Sequence, residues 1–156
     1  MGSGFLVAPD HVLTNWHVVR DALAEPARIA ASFDLLHAPS PEAPRGTDHG
    51  CSEVMLWRAA PPELDPSSPF DANPLDYALL RLSSSPPGDR GYFDIKAAPA
   101  TLYTGTRVIV IGHPNRQPLS VSFSQQAGLH GVKPPRAYYD ADTLHGSSGS
   151  IVLVEV

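Results

Sequence analysis

The chain has a single cysteine, Cys51, and therefore cannot form an intrachain disulfide. Disulfides are rare in cytosolic proteins, and no signal peptide opens the sequence, so we expect a cytoplasmic protein rather than a secreted one. No run of Lys and Arg occurs and the formal net charge is -5, which argues against a nucleic-acid-binding surface. The longest apolar run is too short to span a bilayer, so we expect no membrane contact.

Metal-binding patterns are also absent from the sequence. It contains no H-E-x-x-H motif and no paired C-x-x-C motif, and its 7 histidines form no ligand-spaced cluster. We expect neither a metal nor an organic cofactor. Cys51 lies in a polar segment without a motif, so we interpret it as incidental rather than as a nucleophile.

Short apolar runs bounded by turn-forming residues dominate the sequence. A hydrophobic content of 42% in 156 residues is enough for one domain with a substantial core. The patterns predict strands at 5–8, 11–14, 53–58, 77–82, 106–111 and 119–123, with a turn at Pro9 and Asp10. Most of the 17 prolines lie between these runs, where they remove no ladder hydrogen bond. The sequence therefore predicts an all-β barrel or sandwich.

The segments between the strands are interpreted mainly as loops. Residues 22–31 predict either a short helix or a loop that leads into an extended segment at 29–33. Segments 38–50, 61–74 and 129–135 are rich in turn-forming residues and predict loops. Residues 83–99, which hold several prolines, predict the connection between two halves of the chain.

Three motifs carry a histidine, an aspartate and a serine in that order along the chain. His17 lies in L-T-N-W-H-V-V, Asp76 begins D-x-A-L-L-R-L, and Ser148 lies in a G-x-S-G-S turn before an apolar run. A Ser–His–Asp hydrolase needs these groups as base, orienting carboxylate and nucleophile. An α/β-hydrolase is excluded, because its G-x-S-x-G elbow needs glycine at Ser150 and its triad order is Ser, acid, His.

These motifs, together with segments 2–7, 105–114 and 142–150, resemble a trypsin-like serine protease of the chymotrypsin fold. The resemblance spans nearly the whole chain and is closest to bacterial, disulfide-free forms. It implies two packed six-stranded antiparallel β-barrels, with residues 1–85 in the first, 86–99 connecting them, and 100–156 in the second. The family continues further beyond its serine than this chain does, so we expect the second barrel to be incomplete here. Flanking domains or another chain would complete it, or the domain is degenerate.

The resemblance also implies a role for each motif residue. His17 is the general base, Asp76 orients it, and Ser148 is the nucleophile, with the amides of Gly146 and Ser148 as the oxyanion hole. From the residues alone, His17 could instead be a structural histidine at a strand end. The rivals of Asp76 and Ser148 are nearby residues of the same types: Asp65, Asp71, Ser147 and Ser150.

Two further positions bear on control and specificity. Digestive relatives have an aspartate at the position of Ser147, which pairs with a new N-terminal amine, so that mode of activation is not expected here. Asp142 matches the carboxylate at the floor of the trypsin specificity pocket and suggests selection of Lys or Arg. Thr143 and His145 are candidates to line the same pocket.

The sequence therefore predicts a serine endopeptidase that forms an acyl-enzyme with Ser148. Its substrate would be a protein or peptide bound in extended form, and the chain would be the catalytic module of a larger protein. The alternative is a catalytically inactive protease-fold module used for binding or signalling.

Overall fold

The computed structural model describes residues 1–37, 46–59, 75–95, 102–124, 128–133 and 136–155. The strands of these segments, in chain order, are β1 (Phe5–Ala8), β2 (His11–Thr14), β3 (Ala30–Phe33), β4 (Thr47–Arg58), β5 (Tyr77–Leu82), β6 (Val108–Gly112), β7 (Ser120–Phe123), β8 (Leu129–Lys133), β9 (Arg136–Tyr139) and β10 (Ile151–Val154). The helical elements are one α-helical turn, α1 (Trp16–Val19), and 3-10 turns at Arg20–Ala22, Pro26–Arg28 and Pro114–Arg116. The described chain is mostly β, as the sequence predicts.

The first half of the chain forms a five-stranded antiparallel sheet in the order β1-β2-β5-β4-β3. Along β5, buried side chains alternate with half-buried ones, as expected for a strand with one face on a core. The buried residues of this core are Leu6, Val12, Val19, Cys51, Ala78, Leu80 and Leu82. β5 therefore lies at the centre of the sheet and fixes the position of the segment that precedes it.

Irregularities in β4 curl this sheet. The register between β4 and β5 shifts between Cys51 and Glu53 and again between Val54 and Leu56. Such bulges bend a strand and increase its twist. The sheet consequently curves into a half-barrel rather than lying flat.

The second half contains a three-stranded antiparallel sheet in the order β10-β6-β7 and a two-stranded pair of β8 with β9. Buried and half-buried residues again alternate along β6. Val108 and Val110 of this strand pack with Leu129 and Ala141 in a second, separate core. The described residues thus form one core in each half of the chain.

Two of the predicted loops are wrong where the structure describes them. β4 begins at Thr47, inside the segment 38–50, because its first residues pair with β3. Residues 129–133 form β8, because Leu129 is buried in the second core and the strand pairs with β9. The two alternatives at 22–31 are resolved as a 3-10 turn, Pro26–Arg28, followed by β3.

Other predictions lie outside the described residues or stay predictions. The loop at 61–74 and the last residues of the connection, 96–99, are outside the described part of the chain. The described strands number five in the first sheet and three and two in the second half, so six strands per barrel stays a prediction. The boundaries at 1–85 and 100–156 stay predictions too. Within the described residues, no helix has the length and apolar character needed to cross a membrane.

Candidate active site

His17 and Asp76 lie together at one end of the first sheet. The antiparallel pairing of β2 with β5 places Thr14 opposite Ala78, which brings α1 beside the residue that precedes β5. His17 Nδ1 lies 2.5 Å from Asp76 Oδ2, and the backbone N–H of His17 donates to Asp76 Oδ1 at 3.1 Å. Both carboxylate oxygens of Asp76 are therefore engaged by the same residue.

The contact with Asp76 determines which ring nitrogen of a neutral His17 carries the proton. An ionised carboxylate only accepts hydrogen bonds, so the proton that faces it lies on Nδ1. The lone pair is then on Nε2, the atom available to act as a base. The side chains of His17 and Asp76 are 31% and 20% exposed, so solvent screens this pair only in part.

Neighbouring side chains hold this pair in place. Asn15 Nδ2 donates to the backbone carbonyl of Asp76 at 2.6 Å. Trp16 stacks on Trp57 of β4, with ring centroids 6.2 Å apart and an interplanar angle of 28°. The Arg20 guanidinium lies 5.9 Å from the Trp16 ring centroid, within cation–π range. α1 is thereby attached to both β4 and the start of β5.

Ser148 lies in a tight turn between β9 and β10. Gly146 and Gly149 have φ of +92° and +85°, a region that favours glycine because it has no Cβ. The Ser147 N–H donates to the Leu144 carbonyl at 3.0 Å, and the Ser147 hydroxyl accepts from the Leu144 N–H at 3.3 Å. The glycines of the sequence motif are therefore the residues that let the chain reverse around Ser148.

The carbonyls of this turn are held on the side away from two free amides. The His145 carbonyl accepts from the Asn115 N–H at 2.6 Å, and the Ser147 carbonyl accepts from the Ser150 N–H at 2.9 Å. In a trans peptide the N–H points opposite to the carbonyl, so the N–H groups of Gly146 and Ser148 point the other way. Within the described part of the chain, neither N–H donates a hydrogen bond. Two such donors can stabilise an oxyanion.

A cleft of about 370 Å³ opens at this turn. Its lining residues are Asn15, Val110, Tyr139, Thr143, Leu144, Ser147, Ser148, Gly149, Ser150 and Val152. Burial raises the pKa of the Tyr139 phenol, so this group is neutral at physiological pH. The cleft lies between Asn15, two positions before His17, and the turn of Ser148. Across the described residues, the Ser148 hydroxyl makes no hydrogen bond to His17.

The three predicted pocket residues are placed differently from one another. Thr143 lines the cleft and is exposed. Asp142 and His145 are exposed and are not among the lining residues. A buried carboxylate at the floor of the cleft, which the resemblance implies for Asp142, is therefore not what the described residues contain.

The rival candidates are also placed. Asp65 and Asp71 lie outside the described residues. The Ser147 hydroxyl is engaged within the turn, as described above. The Ser150 hydroxyl is buried and has no hydrogen-bond partner within the described residues. Among the serines of this turn, Ser148 is the one whose own N–H is free and whose hydroxyl is not engaged or buried within the described residues.

Ser3 was not singled out from the sequence, yet it contacts the same turn. It is 6% exposed, and its backbone N–H donates to the Ser148 carbonyl at 2.7 Å. Segment 2–7 has a family-like sequence, but sequence alone gives no partner for a contact between opposite ends of the chain. The contact of Trp16 with Trp57 could not be predicted either, because sequence alone gives no partner for a contact between distant residues.

Cys51 has neither the exposure nor the environment of a nucleophile. It is 2% exposed, and its thiol donates to the Glu53 carbonyl at 3.2 Å. Burial raises the pKa of the Cys51 thiol, whereas reactive cysteines have a lowered one. Among the described residues, no three His, Cys, Asp or Glu side chains are grouped so that they could hold a metal ion.

Comparison with known sequences identifies the family of this chain. A sequence model of the trypsin-like peptidase domain matches residues 2–155. The glutamyl endopeptidase of Staphylococcus epidermidis is 26% identical over 156 residues, which cover 97% of this chain and 49% of the relative. The uncharacterized protein y4fB of Sinorhizobium fredii is 26% identical over 169 residues, which cover 99% of this chain and 23% of the relative. The chain thus spans about half, or less, of the length of these curated relatives.

Comparison with solved structures identifies the fold. The crystal structure of the Rv3671c protease in an inactive form superposes with a TM-score of 0.53 at 23% identity, covering 97% of this chain and 66% of that one. A mutant of Rv3671c from M. tuberculosis, also in an inactive form, gives a TM-score of 0.51 at 23% identity, covering 97% and 63%. The curled antiparallel sheets are therefore those of the chymotrypsin-like fold, as the motifs predict. Matched to the family over nearly its whole length, the chain belongs to the trypsin-like peptidases.

Proposed function

We propose that this chain is a serine endopeptidase that hydrolyses peptide bonds in protein substrates through an acyl-enzyme. The observation that carries the proposal is the contact of His17 Nδ1 with Asp76, which leaves Nε2 as the basic nitrogen. Membership of the trypsin-like peptidase family and the two free amides beside Ser148 support it. The reaction uses neither a metal nor an organic cofactor. Because the curated relatives are longer, we propose that the chain acts as a module of a longer protein.

In the proposed reaction, Ser148 Oγ attacks the carbonyl carbon of the scissile peptide bond while His17 Nε2 takes the hydroxyl proton. The carbonyl oxygen becomes an oxyanion, which accepts hydrogen bonds from the N–H groups of Gly146 and Ser148. The intermediate collapses when the C–N bond breaks, and His17 gives its proton to the leaving amine. A water molecule, deprotonated by His17, then hydrolyses the acyl-enzyme and restores Ser148. Asp76 stays ionised throughout and stabilises the imidazolium.

The proposal requires the Ser148 hydroxyl to reach His17 Nε2 in the substrate complex. Catalytic hydrogen bonds are often long in unliganded enzymes and tighten when substrate binds. The unpaired hydroxyl of Ser148 is consistent with this behaviour, because no other described residue competes for it.

The proposed substrate is a peptide segment in extended form, but the cleft does not favour a basic side chain. The residues Thr143, Ser147 and Ser150 are among its lining, and no Asp or Glu of the described residues is. Selection of Lys or Arg would require Asp142 to turn into the cleft from its exposed position. A relative is named a glutamyl endopeptidase, which makes an acidic residue the competing proposal. A peptide library cleaved by the wild type and by Asp142→Asn distinguishes them, because only a basic preference should depend on Asp142.

The second candidate function is a protease-fold module that binds a partner without cleaving it. The absence of a hydrogen bond between Ser148 and His17 within the described residues is the observation that favours it. Such a module would retain the fold and the cleft but would lack an activated serine.

A fluorophosphonate probe tests the proposed function without knowledge of the substrate. The serine Oγ displaces fluoride at phosphorus only if a base removes its proton, so labelling reports an activated nucleophile. We expect the wild type to be labelled and Ser148→Ala to be unlabelled. Ser150→Ala, which removes the neighbouring hydroxyl, should keep the label on Ser148. Absence of labelling in the wild type would favour the binding module instead.

A further inference from the structure

Ser3 bridges three segments that meet behind the Ser148 turn. Its hydroxyl donates to the Gly146 carbonyl at 2.9 Å and accepts from the His113 N–H at 2.9 Å. Its backbone N–H donates to the Ser148 carbonyl at 2.7 Å. One buried residue thus holds the carbonyls on both sides of Ser147 and connects them to the turn that begins at His113.

These bonds fix the peptide planes around the two free amides. The carbonyl of Gly146 is held by Ser3, and the N–H of the same peptide unit, which belongs to Ser147, is held by Leu144. This plane cannot rotate without breaking two hydrogen bonds. The Gly146 N–H lies directly before it, in the peptide unit whose carbonyl accepts from Asn115.

The hydroxyl of Ser3 also contacts the turn that holds the His145 carbonyl. His113 and Asn115 belong to the same short turn, and Asn115 has φ of +50°, in the left-handed region that most residues avoid. The bond from the His113 N–H to Ser3 Oγ holds this turn, and the Asn115 N–H in turn holds the His145 carbonyl. Ser3 Oγ therefore acts on the Gly146 amide in two ways: through the peptide unit that follows it, and, by way of the turn at His113, through its own peptide unit.

Ser3 is also attached to the segment that carries His17. The Thr14 hydroxyl donates to the Ser3 carbonyl at 2.6 Å, three residues before His17. A Cβ on Gly149 would lie 2.0 Å from that carbonyl oxygen, so the backbones of the two segments are in direct contact. Ser3 therefore lies between the elements that supply the proposed base and the proposed nucleophile.

We propose that Ser3 is a positioning residue for the oxyanion hole, and that its hydroxyl orients the amides of Gly146 and Ser148. This inference rests on the proposed function. Without the hydroxyl, the Gly146 carbonyl and the His113 N–H lose a buried partner together, and the turn relaxes to find other partners. Misplacement of catalytic groups by about 1 Å can cost on the order of 100-fold in rate. Substrate contacts in the cleft would change much less.

The test compares Ser3→Ala with the wild type in fluorophosphonate labelling at several probe concentrations. We expect the maximal labelling rate constant to fall by roughly 10- to 100-fold, because the oxyanion donors are misplaced. The probe concentration that gives half of this rate should change by less than about threefold, because the cleft itself is unchanged. A merely structural role would lower the labelled fraction and the melting temperature but would leave the rate constant of the folded molecules unchanged.

Ser124→Ala is the matched control. The Ser124 hydroxyl accepts from the Val108 N–H at 3.0 Å, at the end of β6 opposite the one that leads to His113. The Ser124→Ala substitution removes a comparable hydrogen bond from the same half of the chain, and this variant should be labelled at the wild-type rate. Ser3→Cys retains the side-chain size with a weaker donor and acceptor, so its rate constant should lie between those of Ser3→Ala and the wild type.

The outcomes separate this inference from the proposed function. Labelling of the wild type, loss of labelling in Ser148→Ala and slow labelling in Ser3→Ala support both. A rate constant for Ser3→Ala within twofold of the wild type overturns the role of Ser3 and leaves the endopeptidase proposal intact. If Ser3→Ala does not fold, the same limit applied to Ser3→Cys decides. If the wild type is not labelled, Ser148 is not an activated nucleophile, and both the endopeptidase proposal and the role of Ser3 are overturned.

Discussion

Asp76→Asn is the substitution that tests the proposed mechanism most directly. The asparagine has nearly the same size as the aspartate. It can keep an oxygen facing the His17 backbone N–H, which in the wild type donates to Asp76 Oδ1 at 3.1 Å. Its amide NH₂ group then takes the place of Oδ2, which lies 2.5 Å from His17 Nδ1. Two donors cannot face each other, so the neutral ring must move its proton to Nε2. A protonated Nε2 cannot accept the proton of Ser148.

The expected loss is large because the substitution removes both the correct tautomer and the charge that stabilises the imidazolium. In Ser–His–Asp enzymes this change lowers the rate by about 10⁴-fold, which corresponds to about 5.4 kcal/mol of transition-state stabilisation. Labelling that takes one minute in the wild type would then take about a week. The hydrogen bond to the His17 backbone N–H is kept, so the melting temperature should change by only a few degrees.

A second aspartate–histidine pair provides the control. His11 Nδ1 lies 2.6 Å from Asp10 Oδ1, at the turn between β1 and β2. Asp10→Asn removes the same kind of contact at a site without a nucleophile and should label within about twofold of the wild type. The assay is the fluorophosphonate labelling rate constant at pH 7, with thermal unfolding measured on the same samples. Labelling of Asp76→Asn within tenfold of the wild type would refute the assignment of His17 as the base, as would an equal loss in Asp10→Asn.

Three further predictions concern the fold. Gly149→Ala should lower the melting temperature and the labelling far more than Gly105→Ala, because both have φ near +85° but only the first would bring a Cβ within 3 Å of other atoms. The Cys51 thiol should react with a disulfide reagent only on unfolding, because burial both covers it and raises its pKa. The hydrogen bonds from Arg90 lower the pKa of Asp34 below its ordinary 3.8, so this pair stabilises the folded state above that pH. The loss of unfolding free energy in Asp34→Asn should therefore shrink as the pH falls through and below 3.8, and a constant loss would contradict this account.

Much of the fold could be predicted because the relevant signals are local. The strand at Tyr77–Leu82 has the predicted bounds, since its short apolar run and the turn residues before it are both visible in the sequence. The segment at 129–133 was predicted wrongly, because its Gly and the prolines after it suggest a loop. Only the burial of Leu129 in a core built by distant residues makes it a strand. Tertiary contacts decide such short segments.

The site shows the same division between local and distant information. The motifs of His17 and Asp76 predict that these residues act together, and the structure brings their side chains into contact. The partners that hold the turn of Ser148 could not be predicted, because they are backbone groups and a small hydroxyl that carry no motif. The exposure of Asp142 could not be predicted either, because the number of residues between Asp142 and Ser148 does not determine which way the Asp142 side chain points.

The stacking of Trp16 on Trp57 has a spectroscopic consequence. The chain contains 2 tryptophans, and both are in this stacked pair, in which Trp16 directly precedes His17. All of its tryptophan fluorescence therefore originates at one side of the candidate site, and the second half of the chain contributes none. A ligand that approaches His17 can be followed without any attached dye. An unfolding curve followed by tryptophan emission therefore describes the first sheet alone.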